Sequence, residues 1–181
     1  MIWFYLLFVM SNKEATELIL HAFKPGKKSI WADFGCGAGV FTNALAGLLE
    51  AGSKIYAVDK RKQQIESLSK DVLIEFIQSD FEKEPIVLIN LDGIIMANSL
   101  HYIKDQHHFI LRIKDALKQN GRIILIEYDT EQSNQWVPYP VSLTKANQLF
   151  KACGFTVVTK IGERQSIYRS DKMYACLIAQ G

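Results

Sequence analysis

The 181-residue sequence is short of the features that mark several large protein classes. Its three cysteines, Cys36, Cys153 and Cys176, stand far apart, with no CxxC pair and no histidine at ligand spacing. Neither a disulfide framework nor a metal centre is expected, and reduced thiols in a cytoplasmic protein are the plain reading. Excess charge of one sign is also missing. Twenty-one basic against 19 acidic side chains leave a formal charge of +2, so charge gives no indication of a nucleic-acid partner. The apolar opening, MIWFYLLFVM, stops at ten residues, well short of the ~20 that span a bilayer. It has no basic segment before it and no small-residue cleavage pattern after it, so no membrane segment is read there. Residues 1–10 are taken as an upstream extension or an overcalled start, or as a packed N-terminal segment, ahead of one domain over 11–181. Internal repeats and low-complexity linkers are absent, and the length leaves no room for a second substrate domain.

What is present is a regular alternation of two periodicities. Ser11-Asn-Lys-Glu14 is a capping-box pattern, and Ala15, Leu18, Ile19 and Ala22 follow on one face of a helix over 11–24, closed by Pro25-Gly26. Strands are read at 29–34, 54–58, 73–77, 92–97 and 122–127, with helices at 39–51, 63–70 and 105–119 between them. A loop over 128–141 leads to a helix over 142–152. Two last apolar segments, 155–161 and 174–179, have so short a link that they pair as antiparallel neighbours. Nearly continuous apolar strands alternating with helices call for a sheet covered on both faces. The expected fold is α/β: three layers, doubly wound, with a mostly parallel seven-stranded sheet and an antiparallel C-terminal strand.

Within that frame WADFGCGAGV places Gly35, Gly37 and Gly39 between a strand and a helix, where such folds bind ligands. Glycine permits positive φ and removes Cβ, so a ligand can lie against the backbone. A dinucleotide fingerprint wants G-x-G-x-x-G, whereas this loop is G-x-G-x-G with Asp33 ahead of it. The arrangement (D/E)-x-G-x-G-x-G resembles motif I of the class I S-adenosylmethionine-dependent methyltransferases, and the likeness extends along most of the chain. It implies S-adenosylmethionine as cofactor, held by Asp33, Gly35, Cys36, Gly37 and Gly39 of the loop. Asp59, ending IYAVD, stands where the family carries an acid for the ribose hydroxyls, with Lys60 beside it. Asp80 and Phe81 of QSDF resemble the adenine-contacting segment. DGIIMANSLHYI is similar to motif IV of the small-molecule branch, which puts Asn98 and Ser99 against the methionine portion.

The chemistry implied by that resemblance is an in-line attack of an acceptor atom on an already activated methyl group, so positioning matters most and a general base is optional. His101 and Tyr128 are the candidates on the substrate side, since a neutral histidine suits proton abstraction. In EYDTEQSNQWVPYPVS, Trp136 and Tyr139 with Pro138 and Pro140 are read as an aromatic wall of the acceptor pocket. Glu127 and Asp129 are taken as solvated carboxylates, His107 and His108 as surface residues, and Cys153 as core. The base-methylating (D/N)-P-P-(Y/F) signature is absent, and Ala97-Asn98-Ser99-Leu100 stands in its place. A small-molecule acceptor is therefore expected. A nicotinamide-dependent oxidoreductase and a non-catalytic module that binds cofactor or a partner remain as alternatives. The glycine spacing fits the former less well, and no Tyr-x-x-x-Lys pair appears.

Overall fold

A computed structural model describes residues 10–24, 26–165 and 172–181. The chain enters helix α1 (Asn12–Ile19) through a formed capping box. Ser11 Oγ accepts from Glu14 N, and Glu14 Oε2 accepts from Ser11 N at 2.8 Å. After strand β1 (Ile30–Phe34), left-handed Gly39 opens helix α2 (Val40–Ala46). Strand β2 (Lys54–Asp59), a two-residue strand β3 (Leu68–Ser69) and strand β4 (Val72–Gln78) follow. Strand β5 (Leu91–Ala97), helix α3 (Gln106–Ala116) and the long strand β6 (Leu117–Tyr128) come next. Helix α4 (Leu143–Ala152) leads to strands β7 (Val157–Gln165) and β8 (Lys172–Ala179).

One sheet holds all eight strands in the order β3-β4-β2-β1-β5-β6-β8-β7. Pairings among β4, β2, β1, β5 and β6 are parallel, and those of β8 with β6 and β7 are antiparallel. Each central strand supplies both faces. Ile94 and Met96 of β5, with Ile123 and Leu125 of β6, meet Phe109 and Ile113 of α3 and Phe150 of α4. Ile95, Ile124 and Ile126 point the other way, toward Leu18 of α1 and Leu45 of α2. Burying a side chain of this size contributes roughly 1.5–3 kcal/mol, so the unbroken apolar runs in β5 and β6 hold both layers to the sheet. The chain reverses its direction of growth between β1 and β5, which puts a crevice at the carboxyl ends of these strands.

The doubly wound, mostly parallel sheet is thus the one expected, but it has eight strands where seven were expected, the extra one being β3 at one edge. No helix forms over 63–70. Ser69 and Val72 pair across Lys70 and Asp71, both with positive φ (52° and 60°), so β3 and β4 close a tight hairpin. Ile65, within the stretch expected to be helical, packs against the turn at Gly39. Helix α3 also ends at Ala116 instead of running to 119, because Leu117 pairs with Leu91 at the start of β6. The expectation for residues 1–9 and for Pro25 falls outside the described residues. Among those described, no helix is long and apolar enough to cross a membrane.

Candidate active site

The crevice opens from the turn after β1. Gly35 N and Cys36 N both donate to Val58 O, at 2.8 and 3.1 Å, and Gly39 N donates to Cys36 O. These bonds hold Gly35, Gly37 and Gly39 at positive φ (85°, 49° and 81°). A Cβ on Gly35 would lie 2.4 Å from Ser99 Cβ, so the loop rests on the end of β5. A Cβ on Gly37 would meet nothing within 4 Å: that backbone faces open space. Asp59 at the end of β2 accepts from Gly37 N through Oδ2 (3.0 Å) and from Arg61 N through Oδ1 (2.8 Å). One carboxylate therefore ties the glycine loop to the turn beside it.

A cleft of about 440 Å³ lies over this floor. Gly35, Gly37, Asp59 and Lys60 line one side, with Asp80 and Phe81 beside them and Asn98 and Ser99 at the base. Ser99 Oγ donates to Phe34 O at 2.7 Å, which locks the ends of β1 and β5 together. Asn98 has φ 52°, and its buried Oδ1 has no hydrogen-bond partner. Phe81 packs edge-on against Phe34 with ring centres 5.3 Å apart. Trp136 also lines the cleft, although it is 70% exposed. It stands on a turn in which Asn134 Oδ1 accepts from Trp136 N and Val137 N.

Three of the residues expected at the cofactor lie beneath the cleft and not on its wall. Cys36 and Gly39 are buried in the turn, and burial pushes the Cys36 thiol well above its ordinary range. Asp33 is 1% exposed. Thr42 Oγ1 donates to its Oδ2 at 2.6 Å, while its Oδ1 has no partner. Burial raises its pKa to about 7 against the opposing effect of the Thr42 bond, with a smaller upward push from Asp59.

On the substrate side the arrangement differs more from expectation. His101 is 1% exposed and does not line the cleft. Its Nδ1 donates to Glu127 Oε2 at 2.6 Å and its backbone N to Oε1 at 3.2 Å, so Glu127 is a buried partner and not a solvated carboxylate. His101 Nε2 is buried without a partner. Tyr128 is outside the cleft lining, its ring 6.3 Å from that of His101. Tyr139 is outside it too: its backbone N donates to His101 O, and Gln106 Nε2 donates to its carbonyl. Asp129, by contrast, is exposed, and its carboxylate caps α4 at Leu143 N. His107 and His108 are exposed and Cys153 is buried.

Arg61, Gln63, Glu82, Tyr102, Ile103 and Gln135 also line the cleft and were not singled out by sequence. The nearest signal was position, since Arg61 follows the Asp59 turn and Tyr102-Ile103 closes the motif IV stretch. Among the described residues no group of three or more His, Cys, Asp or Glu side chains is placed to hold a metal ion.

A family model described as a methyltransferase domain matches residues 26–175. The chain belongs to the methyltransferase-domain family. Its glycine-loop spacing and strand order are those of the class I, S-adenosylmethionine-dependent members. This methyltransferase domain is 29% identical, over 155 residues, to malonyl-(acyl-carrier protein) O-methyltransferase 2 of Coxiella burnetii, covering 79% of the chain and 62% of that protein. It is 28% identical over 120 residues to a probable cobalt-precorrin-6B C(15)-methyltransferase (decarboxylating) of Methanothermobacter thermautotrophicus, covering 62% of the chain and 59% of that protein. The chain thus spans less than two thirds of either curated relative. The solved YcgJ protein of Bacillus subtilis superposes with a TM-score of 0.70 at 14% identity, covering 93% of this chain and 98% of that one. The 1,6-didemethyltoxoflavin-N1-methyltransferase of Burkholderia thailandensis superposes at 0.66 and 15%, covering 94% and 78%. At such identities these structures share the fold.

Proposed function

We propose that this methyltransferase domain moves a methyl group from S-adenosylmethionine to a small-molecule acceptor bound at the mouth of the cleft. The observation that carries the reading is convergence: residues from the ends of β1, β2, β4 and β5, expected separately from sequence, face one space. The residues fit the cofactor. Open space over Gly37, a residue of the cleft lining, leaves room for a ligand against the backbone. Gly35, Gly37, Asn98 and Ser99 would cradle the methionine portion, Asp59 and Lys60 the ribose side, and Asp80 with Phe81 the adenine. When bound, the cofactor supplies a methyl group on a cationic sulfur.

The chain's own part is to position and to exclude water. Well-oriented partners can gain roughly 7–11 kcal/mol over free ones. Glu127 holds the His101 ring and backbone, while His101 O and Gln106 fix Tyr139, so the pair secures the loop that carries Trp136. His101 is thus a positioning residue in this arrangement. The relatives' names describe acceptors as different as an acyl-carrier-bound malonyl group and a cobalt-precorrin, which supports a small or carrier-bound acceptor without choosing one.

Incubation with methyl-labelled S-adenosylmethionine and fractionated metabolite extract tests this reading. The expected result is S-adenosylhomocysteine formed in step with a labelled product of low mass. Release of S-adenosylhomocysteine with no labelled product, or no release with any fraction, would contradict it.

A further inference from the structure

The part of the cleft expected at the adenine belongs to no strand or helix, so other bonds must hold its shape. It is the turn over 79–84 after β4, which carries Asp80, Phe81 and Glu82 into the lining. At its start Ser79 N donates to Asp59 O at 3.0 Å, and within it Lys83 N and Glu84 N both donate to Asp80 O, at 2.9 and 2.8 Å. Those bonds leave the carbonyls of Glu82 and Glu84 to be met from outside the turn. Arg112, on α3 and outside the cleft lining, meets both: its Nη1 donates to Glu82 O at 2.9 Å and its Nη2 to Glu84 O. The two glutamate side chains are engaged elsewhere, since Glu84 Oε2 accepts from Ser79 Oγ at 2.6 Å and Glu82 Oε1 from Lys104 N at 3.1 Å. The guanidinium fork is therefore spent on backbone, where it fixes shape. Phe81 packs on Phe109 of the same helix with ring centres 5.7 Å apart, and the Arg112 guanidinium stands 6.0 Å from the centre of that Phe109 ring.

We propose that Arg112 is a positioning residue for recognition of the cofactor's base, holding the 79–84 turn against α3 so that Asp80 and Phe81 meet the adenine. The inference rests on the methyl-transfer reading and adds to it a residue behind the wall. Two N–H groups on a rigid planar fork hold two carbonyls at a set spacing, whereas a lysine ammonium is a point charge on a flexible stem and sets no such spacing. Glu82 extends the hold, because its bond to Lys104 N joins this turn to the stretch that carries Tyr102 and Ile103, also in the lining. A turn released at Glu82 and Glu84 would let the Asp80 carboxylate drift from an exocyclic amine, whose hydrogen bond weakens steeply with angle. Contacts at Asp59, Asn98 and Ser99 would be kept.

The test is calorimetric titration of the full chain with S-adenosylhomocysteine and with S-inosylhomocysteine, which carries a carbonyl where adenine has its amine. Wild type should bind the adenine ligand at least tenfold more tightly. In Arg112→Met that preference should fall below threefold, through loss of S-adenosylhomocysteine affinity, with S-inosylhomocysteine binding within about twofold of wild type. Arg112→Lys should restore the preference in part. Lys114→Met removes a different bond from α3, the one its ammonium donates to Cys153 O, and should keep the full preference. Equal loss of both ligands in Arg112→Met, or an equal fall in preference in Lys114→Met, would mean a merely structural role and overturn the proposal. An unchanged preference in Arg112→Met would overturn it too. If that variant does not fold, Arg112→Lys decides, and an unchanged preference there overturns the proposal. Equal wild-type binding of the two ligands would overturn it while leaving the cofactor reading intact. If the wild type does not bind S-adenosylhomocysteine, the methyl-transfer reading falls, and this inference falls with it.

Discussion

On the β1–β2 side of the cleft the backbone is tied by short bonds within the sheet: Gly35 and Cys36 to Val58, Gly37 to Asp59, Ser99 to Phe34. Across from it the 130–141 loop is fastened at its base, by His101, Gln106 and Glu127, while its tip leaves Trp136 open to solvent. A wall built before the ligand arrives pays its ordering cost on folding, and one completed by the ligand meets that cost on binding. On the proposed function the difference would divide the cleft into a preformed cofactor half and an acceptor half completed on binding, and substitutions at five positions sharpen or break that division.

The largest effect is expected at Gly35. With φ at 85° and its would-be Cβ 2.4 Å from Ser99 Cβ, Gly35→Ala should destabilise the fold by on the order of 3 kcal/mol in urea melts and abolish measurable cofactor binding. Gly37→Ala, whose Cβ meets nothing, should cost only about 1 kcal/mol of stability yet weaken binding at least tenfold. Equal melting losses in the two variants would mean that the cofactor half is not a built cradle. Next comes the base of the acceptor loop. Glu127→Ala leaves the buried His101 ring without its partner and should cost roughly 3 kcal/mol, with Glu127→Gln milder.

Asp33 ties the preformed half to pH. Its folded-state pKa of about 7 stands above the ordinary 3.8, so the folded state binds the extra proton. Its stabilising contribution is full below pH 4 and is lost as pH rises through 7. Between pH 5 and 8 the unliganded wild type should lose roughly 2–3 kcal/mol that Asp33→Asn does not lose, read as the difference in urea midpoints at the two pH values. Parallel pH profiles would remove Asp33 as the cause. The smallest effect on stability belongs to Trp136→Ala, within about 0.5 kcal/mol of wild type, with the loss appearing in acceptor KM.

The same division runs through what the sequence made legible. Strand, glycine loop and the helix that follows it, which ends at Ala46 and not at 51, the Ser11 capping box and the closing antiparallel pair could be read because each depends on neighbours a few residues apart. Asp59, Asp80 and Asn98 were singled out through the family resemblance, and they line one cleft because strand ends in this fold converge. The edge was harder. Gln63 to Lys70 has helical composition, but two consecutive residues with positive φ at Lys70 and Asp71 turn it into a hairpin, and neither is a glycine that would have marked the turn. Glu127 looked solvated because its partner His101 is 26 residues away, and Tyr139 looked like pocket wall because its composition says nothing of the backbone bonds that turn it aside.

Central to the account is the claim that the glycine loop and Asp59 form a site for S-adenosylmethionine. Calorimetric titration of wild type and Asp59→Ala with S-adenosylmethionine, S-adenosylhomocysteine and NADH tests it most directly. The account predicts micromolar binding of the two sulfur ligands, no binding of NADH, and at least a tenfold loss of affinity in the variant. Binding of NADH alone, or of none of the three, would contradict it.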